Sequence, residues 1–371
     1  LYARYRQIDE PDYPFPEEGY PGDYLIDIAR ELYQQDSARW KDAARDEWLP
    51  YFQRFARDRI VEQQQFLAER FGVRYDLWQS EKELHERGKI RAGIERLQSA
   101  GRTYEADGAV FVRTTDFGDD KDRVVVRSDG RPTYYALDVT YHDEKLGRAE
   151  RVIDILGPDH HGYVGRLQAL ASALGRPGAI DVLISGQITL VRDGEPVKMS
   201  KRAGQIETLE ALLDEVGNDA ARFFFIMLSP ESPLNFDLSL AVAHTNDNPV
   251  YYVQYGHARI ASVLRNAGNE VPSEPDEASL AMLTMPAELQ LIRRLVELPA
   301  VVEGVVEHLA PHRLARYARD VAADFHAFYT ECKILTDDDA MRRARLTLCL
   351  ATKSVLATTL HLLGVSAPDA M

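Results

Sequence analysis

Val152-Ile153-Asp154-Ile155-Leu156 leads into Gly157-Pro158-Asp159-His160-His161-Gly162-Tyr163, then a run through Leu167, Leu170 and Leu174 to Gly175, and then Val182-Leu183-Ile184. The first and last segments are short apolar runs bounded by turn residues, the form of buried strands. The leucines between them recur at helical spacing, and Gly175 can supply the left-handed cap that ends a helix. A strand, a helix and a second strand in this order are the sequence form of a parallel, nucleotide-binding sheet, in which ligands sit at the carboxyl ends of strands. The predicted ligand loops are therefore Gly157 to Gly162 and Gly186 to Gly204.

Upstream, from Gly22 to Ala100, Tyr24, Leu25, Ile28 and Leu32, and later Trp48, Phe52, Phe55, Ile60, Phe66 and Leu67, recur near helical spacing among charges and read as amphipathic helices. Between Gly101 and Pro132 the period changes: Ala109 to Thr114 and Arg123 to Arg127 read as strands of a small β insertion, separated by Gly118-Asp119-Asp120. From Thr208 onward the pattern is helical, at Ala220 to Leu228, Val250 to Leu264, Leu289 to Leu309, Leu314 to Leu335, and Ala340 to Leu363 with Gly364 as its stop. Asn269 to Glu277 is polar, holds two prolines and reads as a surface loop.

The 371 residues, 45% of them hydrophobic, are enough for two or three domains with a substantial core. No apolar run approaches the roughly 20 residues needed to cross a bilayer, and the start is polar and aromatic rather than signal-like, so the expected setting is cytoplasmic with no membrane partner. Cys332 and Cys349 form no CxxC unit, so the sequence supports neither a disulfide framework nor a cysteine zinc site. A net charge of −15 argues against a nonspecific DNA or RNA binder, since such binding draws on Lys and Arg neutralising phosphates. Any RNA contact must use a local track. Leu1 to Gln7 already resembles the inside of a helix, which predicts a segment upstream of it.

Three clusters could carry chemistry. Lys198-Met199-Ser200-Lys201-Arg202 lies in a glycine-bearing loop after a predicted strand; ammonium groups there could stabilise charge developing on a nucleotide's phosphates. A tetrapeptide of this kind also occurs by chance in solvated loops. The Gly157 to Tyr163 stretch opens a helix whose amino terminus could receive an anion or a hydroxyl; its His160-His161 pair lacks a third ligand at metal spacing, so no metal is predicted. In Arg131 to Asp138, Tyr134 and Asp138 are four apart and share one face of a helix. A carboxylate beside a phenol could seat a guanidinium, whose planar fork suits carboxylate oxygens, although such pairs usually make only a surface hydrogen bond. The acidic run Asp116, Asp119, Asp120 and Asp122 lacks the glycine and terminal glutamate of a calcium loop and reads as a solvated turn. Arg313, Arg316 and Arg319 read as an exposed helix face.

These motifs together resemble arginyl-tRNA synthetase, a class I aminoacyl-tRNA synthetase. Lys198-Met199-Ser200-Lys201-Arg202 is similar to the class signature K-M-S-K-S, with Arg202 in the last place. The resemblance runs through Tyr104-Glu105, Asp107-Gly108-Ala109, Pro132-Thr133-Tyr134, Asp138 and Asp159-His160-His161-Gly162-Tyr163. It continues at Asp219-Ala220-Ala221-Arg222, where Ala221 replaces the leucine of D-A-L-R, at Asn248-Pro249-Val250-Tyr251-Tyr252-Val253-Gln254-Tyr255 with His257-Ala258-Arg259, and at the close from Leu362 to Met371.

The resemblance implies an α/β chain: a partial Rossmann-like nucleotide-binding parallel sheet with helical and β insertions, followed by an all-α anticodon-binding domain. The implied boundaries are 1–100 for a mainly helical part of the catalytic region, 101–130 for the β insertion, 131–206 for the C-terminal half of the catalytic domain and 207–371 for the helical domain. It further implies that Lys198 and Lys201 are catalytic; that Asp159, His161, Gly186, Gln187, Val197, Lys198, Met199 and Lys201 bind ATP; and that Tyr134, Asp138 and Asp159 bind arginine. Asn248, Tyr251, Tyr252, Gln254, Tyr255, Arg259 and Met371 would meet the tRNA, the tyrosines by stacking on unpaired bases, although tyrosines at helical spacing more often pack. The expected reaction is activation of L-arginine by ATP with Mg²⁺, with no tightly bound cofactor, then transfer to tRNA(Arg), by a monomer.

The class's H-x-G-H signature does not occur; His160-His161-Gly162-Tyr163 has Tyr in the last place and lies too late in the fold to substitute. This leaves two rivals: a truncated, noncatalytic tRNA-binding module, and a different adenylate-forming enzyme of the same fold. Finding an upstream segment that bears H-x-G-H would remove the first, and the C-terminal resemblance argues against the second.

Overall fold

The computed structural model describes residues 1–19, 22–197 and 208–371. They divide into two compact units: 1–74 with 189–227 and 235–371, and 75–188 with 228–234.

The first unit begins with helices α1 (Tyr2–Arg6), α2 (Tyr24–Asp36) and α3 (Arg45–Arg70). Their core is aromatic: Tyr5 and Phe52 are buried, and Tyr2 stacks on Trp48 at 3.9 Å between ring centroids.

The second unit opens with α4 (Glu81–Glu86) and α5 (Lys89–Ser99), then the strands β1 (Thr103–Ala106), β2 (Ala109–Val112) and β3 (Arg123–Val126) in one antiparallel sheet. The predicted insertion thus has three strands, of which Thr103–Ala106 was not legible as a separate strand. The β1–β2 turn places Asp107 and Gly108 at positive φ, as a tight hairpin requires. The acidic run is a salt-bridged turn, with Arg123 donating to both Asp119 and Asp120. Helix α6 (Tyr134–Arg148) buries Tyr135, Ala136, Val139 and Leu146 against α5 and β3.

β4 (Val152–Leu156), α7 (Tyr163–Ala173) and β5 (Ile180–Ile184) follow as the sequence predicts. β4 and β5 pair in parallel from Val152↔Ile180 to Leu156↔Ile184, and Gly175, at φ 79°, ends α7. Alternation along β4 buries Val152 and Asp154 and leaves Ile153 and Ile155 exposed. After β5 the chain passes Gly186, whose amide donates to the Pro230 carbonyl at 2.6 Å. A Cβ at Gly186 would overlap the Ser232 carbonyl, so only glycine fits this backbone approach.

β6 (Ile188–Arg192) and β7 (Glu195–Pro196) form a hairpin whose Asp193-Gly194 turn has positive φ at both residues. Within the first unit follow α8 (Leu209–Ile226), β8 (Leu234–Asp237), which joins the sheet beside β6 and begins at the boundary of the second unit, α9 (Leu238–Ala241), α10 (Pro249–Ala267), α11 (Glu277–Leu280), α12 (Pro286–Val296), α13 (Leu298–His308), α14 (His312–Glu331) and α15 (Asp339–Leu362). Helix α10 packs against α8, α14 and α15. Phe325, Phe328, Leu346, Leu356 and Leu360 are fully buried in this bundle.

The run predicted as one helix from Leu289 to Leu309 is two. Pro299 has no amide to donate to the Leu295 carbonyl, so the helix breaks at Glu297. The Tyr317 hydroxyl donates to the Arg294 carbonyl (2.8 Å), which also accepts from the Glu297 amide, and to the Leu295 carbonyl (3.3 Å). α15 ends as expected: Gly364 is left-handed at φ 68° and the Val365 amide reaches back to the Leu360 carbonyl. Arg313, Arg316 and Arg319 are exposed, as expected of a solvated face. No helix among the described residues is long and apolar enough to cross a membrane.

Candidate functional site

In the second unit the carboxyl ends of β4 and β5 lie side by side, with the Ser185 amide bonded to the Leu156 carbonyl at 2.7 Å. The two predicted ligand loops therefore start from neighbouring strand ends. Pro158–His160 forms one 3₁₀ turn after Gly157, and α7 begins at Tyr163. Asp159 and His161 are exposed on this turn, and the His160 ring meets Tyr163 edge-on at 5.1 Å. Gln187 is exposed, with its backbone carbonyl held by the Leu234 amide at 2.9 Å.

Tyr134 and Asp138 share a face of α6, as their spacing requires. Tyr134 is 76% exposed, while Asp138 is partly covered and accepts a hydrogen bond from Arg166 Nη2 at 2.9 Å. The Arg166 guanidinium lies 4.7 Å from the ring centroids of both Tyr135 and Tyr163. Burial pushes the Asp138 carboxyl above the usual carboxylate range, and the positive charge of Arg166 opposes that only in part. One turn further along α6, His142 Nδ1 faces the Asp138 backbone carbonyl and Nε2 faces the Asp154 carboxylate, each at 2.7 Å. Lys145 donates to the other Asp154 oxygen at 2.5 Å. Burial would raise the Asp154 carboxyl, but the hydrogen bonds from His142 and Lys145 prevail and hold it below the usual range. This buried cluster ties α6 to β4 and so fixes the helix that carries Tyr134 and Asp138.

Arg166 and the His142–Lys145–Asp154 cluster were not among the residues singled out from sequence. The signal for Arg166 was its position three residues after Tyr163, which puts both on one helical face. Val197 is described, with its amide on the Leu190 carbonyl at 2.9 Å. Lys198, Met199 and Lys201 lie outside the described residues.

In the first unit, Tyr251 and Tyr255 on α10 stack in parallel with ring centroids 5.9 Å apart. Arg259 donates to the Tyr255 hydroxyl at 2.6 Å, with its guanidinium against the Tyr255 and Tyr329 rings. It borders two cavities: one of about 550 Å³ beside Tyr251, Tyr252 and His326, and one of about 300 Å³ whose rim includes Tyr329 and Met371. Aromatic faces, a guanidinium and cavities of this size can accept planar, unpaired bases. Asn248 and Gln254 are placed differently. Asn248 is 3% exposed and caps α10, accepting from the Val250 and Tyr251 amides and donating to the Ala241 and Ala243 carbonyls. Gln254 is buried, donating to the Asp219 carboxylate at 2.8 Å and the Ser366 carbonyl at 3.0 Å.

The Asp219-to-Arg222 motif is a tie. Asp219 also accepts from the Ser366 amide and hydroxyl, while Arg222 donates to the Phe71 carbonyl at 2.8 Å and the Leu363 carbonyl at 3.2 Å. The tail beyond α15 is pinned further by the Lys353–Asp369 ion pair and by His257, whose Nδ1 lies 2.9 Å from the Pro368 carbonyl. Met371 is thereby held beside α10.

Residues 40–225 match the family described as tRNA synthetases class I (R), catalytic domain, and residues 253–371 match the DALR anticodon binding domain. The fold is thus that of a class I aminoacyl-tRNA synthetase. The chain is 47% identical to the arginine–tRNA ligase of Moorella thermoacetica and 44% identical to that of Syntrophotalea carbinolica, covered in full in both cases against 67% and 68% of those proteins. It superposes over its whole length on 81% of the crystal structure of a putative arginyl-tRNA synthetase from Campylobacter jejuni, with a TM-score of 0.87 and 29% identity. Thermus thermophilus arginyl-tRNA synthetase shares the fold, with a TM-score of 0.74 and 22% identity over 99% of this chain and 73% of that one. The chain belongs to the arginine–tRNA ligase family.

Proposed function

We propose that Tyr134 and Asp138 seat the guanidinium of L-arginine, with Asp159 at the edge of the same pocket, and that Asp159, His161, Gly186, Gln187, Val197, Lys198, Met199 and Lys201 hold ATP. The chain serves arginine–tRNA ligation in translation, an ATP-dependent reaction. The arginine carboxylate attacks the α-phosphate of MgATP, forming arginyl-adenylate as pyrophosphate leaves. A hydroxyl of the terminal adenosine of tRNA(Arg) then attacks the arginyl carbonyl and AMP departs. Lys198 and Lys201 stabilise the charge that builds on the leaving phosphates, and no covalent enzyme intermediate is needed. Mg²⁺ enters with ATP, and no tightly bound cofactor takes part.

For the tRNA, Tyr251, Tyr252 and Tyr255 offer faces on which unpaired bases stack, Arg259 offers charge, and Met371 borders the smaller cavity. Asn248 and Gln254 serve that surface from beneath, by fixing the start and middle of α10. We assign 1–100 and 131–206 to the catalytic region, 101–130 to a β insertion and 207–371 to tRNA binding. The protein acts as a monomer in the cytoplasm, without DNA or membrane partners.

The observation that most supports this reading is the half-covered Asp138 on the open face of α6, beside the helix that follows the carboxyl end of β4. The test is competitive binding of the chain to a panel of purified tRNAs at one salt concentration. The expected result is preference for arginine tRNAs; equal binding of all, or of none, overturns the assignment of 207–371.

A further inference from the structure

Asp138 uses one carboxylate oxygen, Oδ2, for Arg166; among the described residues no hydrogen bond or ion pair falls on Oδ1. Arg166 is itself confined. Its side chain is 14% exposed, its guanidinium contacts two tyrosine rings, and its buried Nε has no partner. Burying a guanidinium is costly, and a half-satisfied one costs more. A structural ion pair would more readily be met edge to edge, with both oxygens engaged.

We propose that Arg166 is a positioning residue for arginine recognition, clamping Asp138 Oδ2 so that Oδ1 is presented to the guanidinium of the substrate. This rests on Asp138 being that guanidinium's seat. The clamp acts in two ways. It holds the carboxylate in one rotamer, because Tyr135 and Tyr163 hold the Arg166 guanidinium in place. It also offsets the burial that pushes the Asp138 carboxyl upward, and so favours the charged form that can accept a charge-assisted bond. The neighbouring charged and titratable groups are Tyr135, His142 and Lys145 on α6 and Asp154 on β4, with Tyr163 on α7 and His160 against its ring. Asp154 is already engaged by His142 and Lys145, which leaves Arg166, among the described residues, as the cation in direct contact with the Asp138 carboxylate.

The experiment is tRNA aminoacylation by the full-length enzyme between about pH 6 and 9. It reads the KM for arginine against kcat in wild type, Arg166→Met, Arg166→Lys and Asp138→Asn. Methionine retains much of the packing against the tyrosines and removes the charge. The expected result for Arg166→Met is a KM raised about tenfold across that range, with kcat within about twofold of wild type. Arg166→Lys should regain most of the affinity. A loss confined to kcat, or a lysine variant no better than methionine, would overturn the clamp. If Asp138→Asn leaves the arginine KM at its wild-type value, the seat itself is wrong, and the clamp with it; a raised KM in Asp138→Asn beside an unaffected Arg166→Met discards the clamp alone. Should the methionine variant not fold, the lysine variant decides: a charge-retaining clamp predicts near-normal affinity, and a steep loss refutes it.

Discussion

Asp219→Ala removes the acceptor of three hydrogen bonds, from Gln254 Nε2, the Ser366 amide and the Ser366 hydroxyl. Net contributions of such bonds are about 0.5–1.5 kcal/mol each, rising to about 3 when one partner is charged. Ser366 is exposed and water can replace Asp219 there, so about 0.5 kcal/mol applies to each of its two bonds and about 1–1.5 to the bond from buried Gln254, a total of about 2–2.5 kcal/mol. Gln254 keeps its bond to the Ser366 carbonyl only while the tail stays in place. A chain of two compact units is not safely treated as two-state, so hydrogen exchange is a better probe than a single melting temperature. The Ser366 amide should exchange faster by roughly one to two orders of magnitude, the rate equivalent of that energy. Amides in the second unit should be unchanged. Unchanged exchange at Ser366 in a folded Asp219→Ala protein would refute the view that this carboxylate pins the tail.

Lys201→Ala should slow adenylate formation by about tenfold or more while leaving tRNA affinity near wild type, read by pyrophosphate exchange and by tRNA titration; an equal loss of tRNA binding would sink its assignment to ATP. Asp154, held below the ordinary carboxylate range, contributes stability that is present above about pH 4 and lost as pH falls through its lowered value. Asp154→Asn should therefore flatten the acid side of the stability profile of the second unit; an unaltered acid limb in denaturant titrations would count against the cluster. Gly186→Ala should cost about 2 kcal/mol or more, because the neighbouring obstacle is the Ser232 carbonyl of the backbone, not a movable side chain; a neutral effect in urea unfolding would contradict the close approach.

The strand–helix–strand unit from Val152 to Ile184 was legible because three signals coincide there: short apolar runs, leucines at helical spacing, and Gly175 at the stop. Tyr134 and Asp138 were legible as one face for the same reason, since spacing alone dictates it within a helix. What escaped depends on long-range contact. The local signal at Arg166, its place three residues after Tyr163, gains a meaning only when Asp138, 28 residues away, is found beside it. Asn248 and Gln254 carry side chains suited to reading bases, yet burial and partners within the chain determine what those groups touch. The break at Glu297 was visible in Pro299, but the apolar periodicity on both sides of it masked the signal. Its repair by Tyr317 needed the third helix.

The pinned tail also bears on how the helical bundle assembles. Its hydrogen bonds to Gln254 and Asp219 close loops of 112 and 147 residues, and its ion pair to Lys353 reaches a different helix. Loop closure is entropically opposed until other contacts shorten the effective loop. The tail has no surface to dock on until α8, α10 and α15 are together, so its docking comes late and its loss registers mainly as faster unfolding rather than slower folding. The last few residues thus act as a latch on an already assembled bundle: they set how long the surface around Arg259 persists, while the helices beneath determine how quickly it forms.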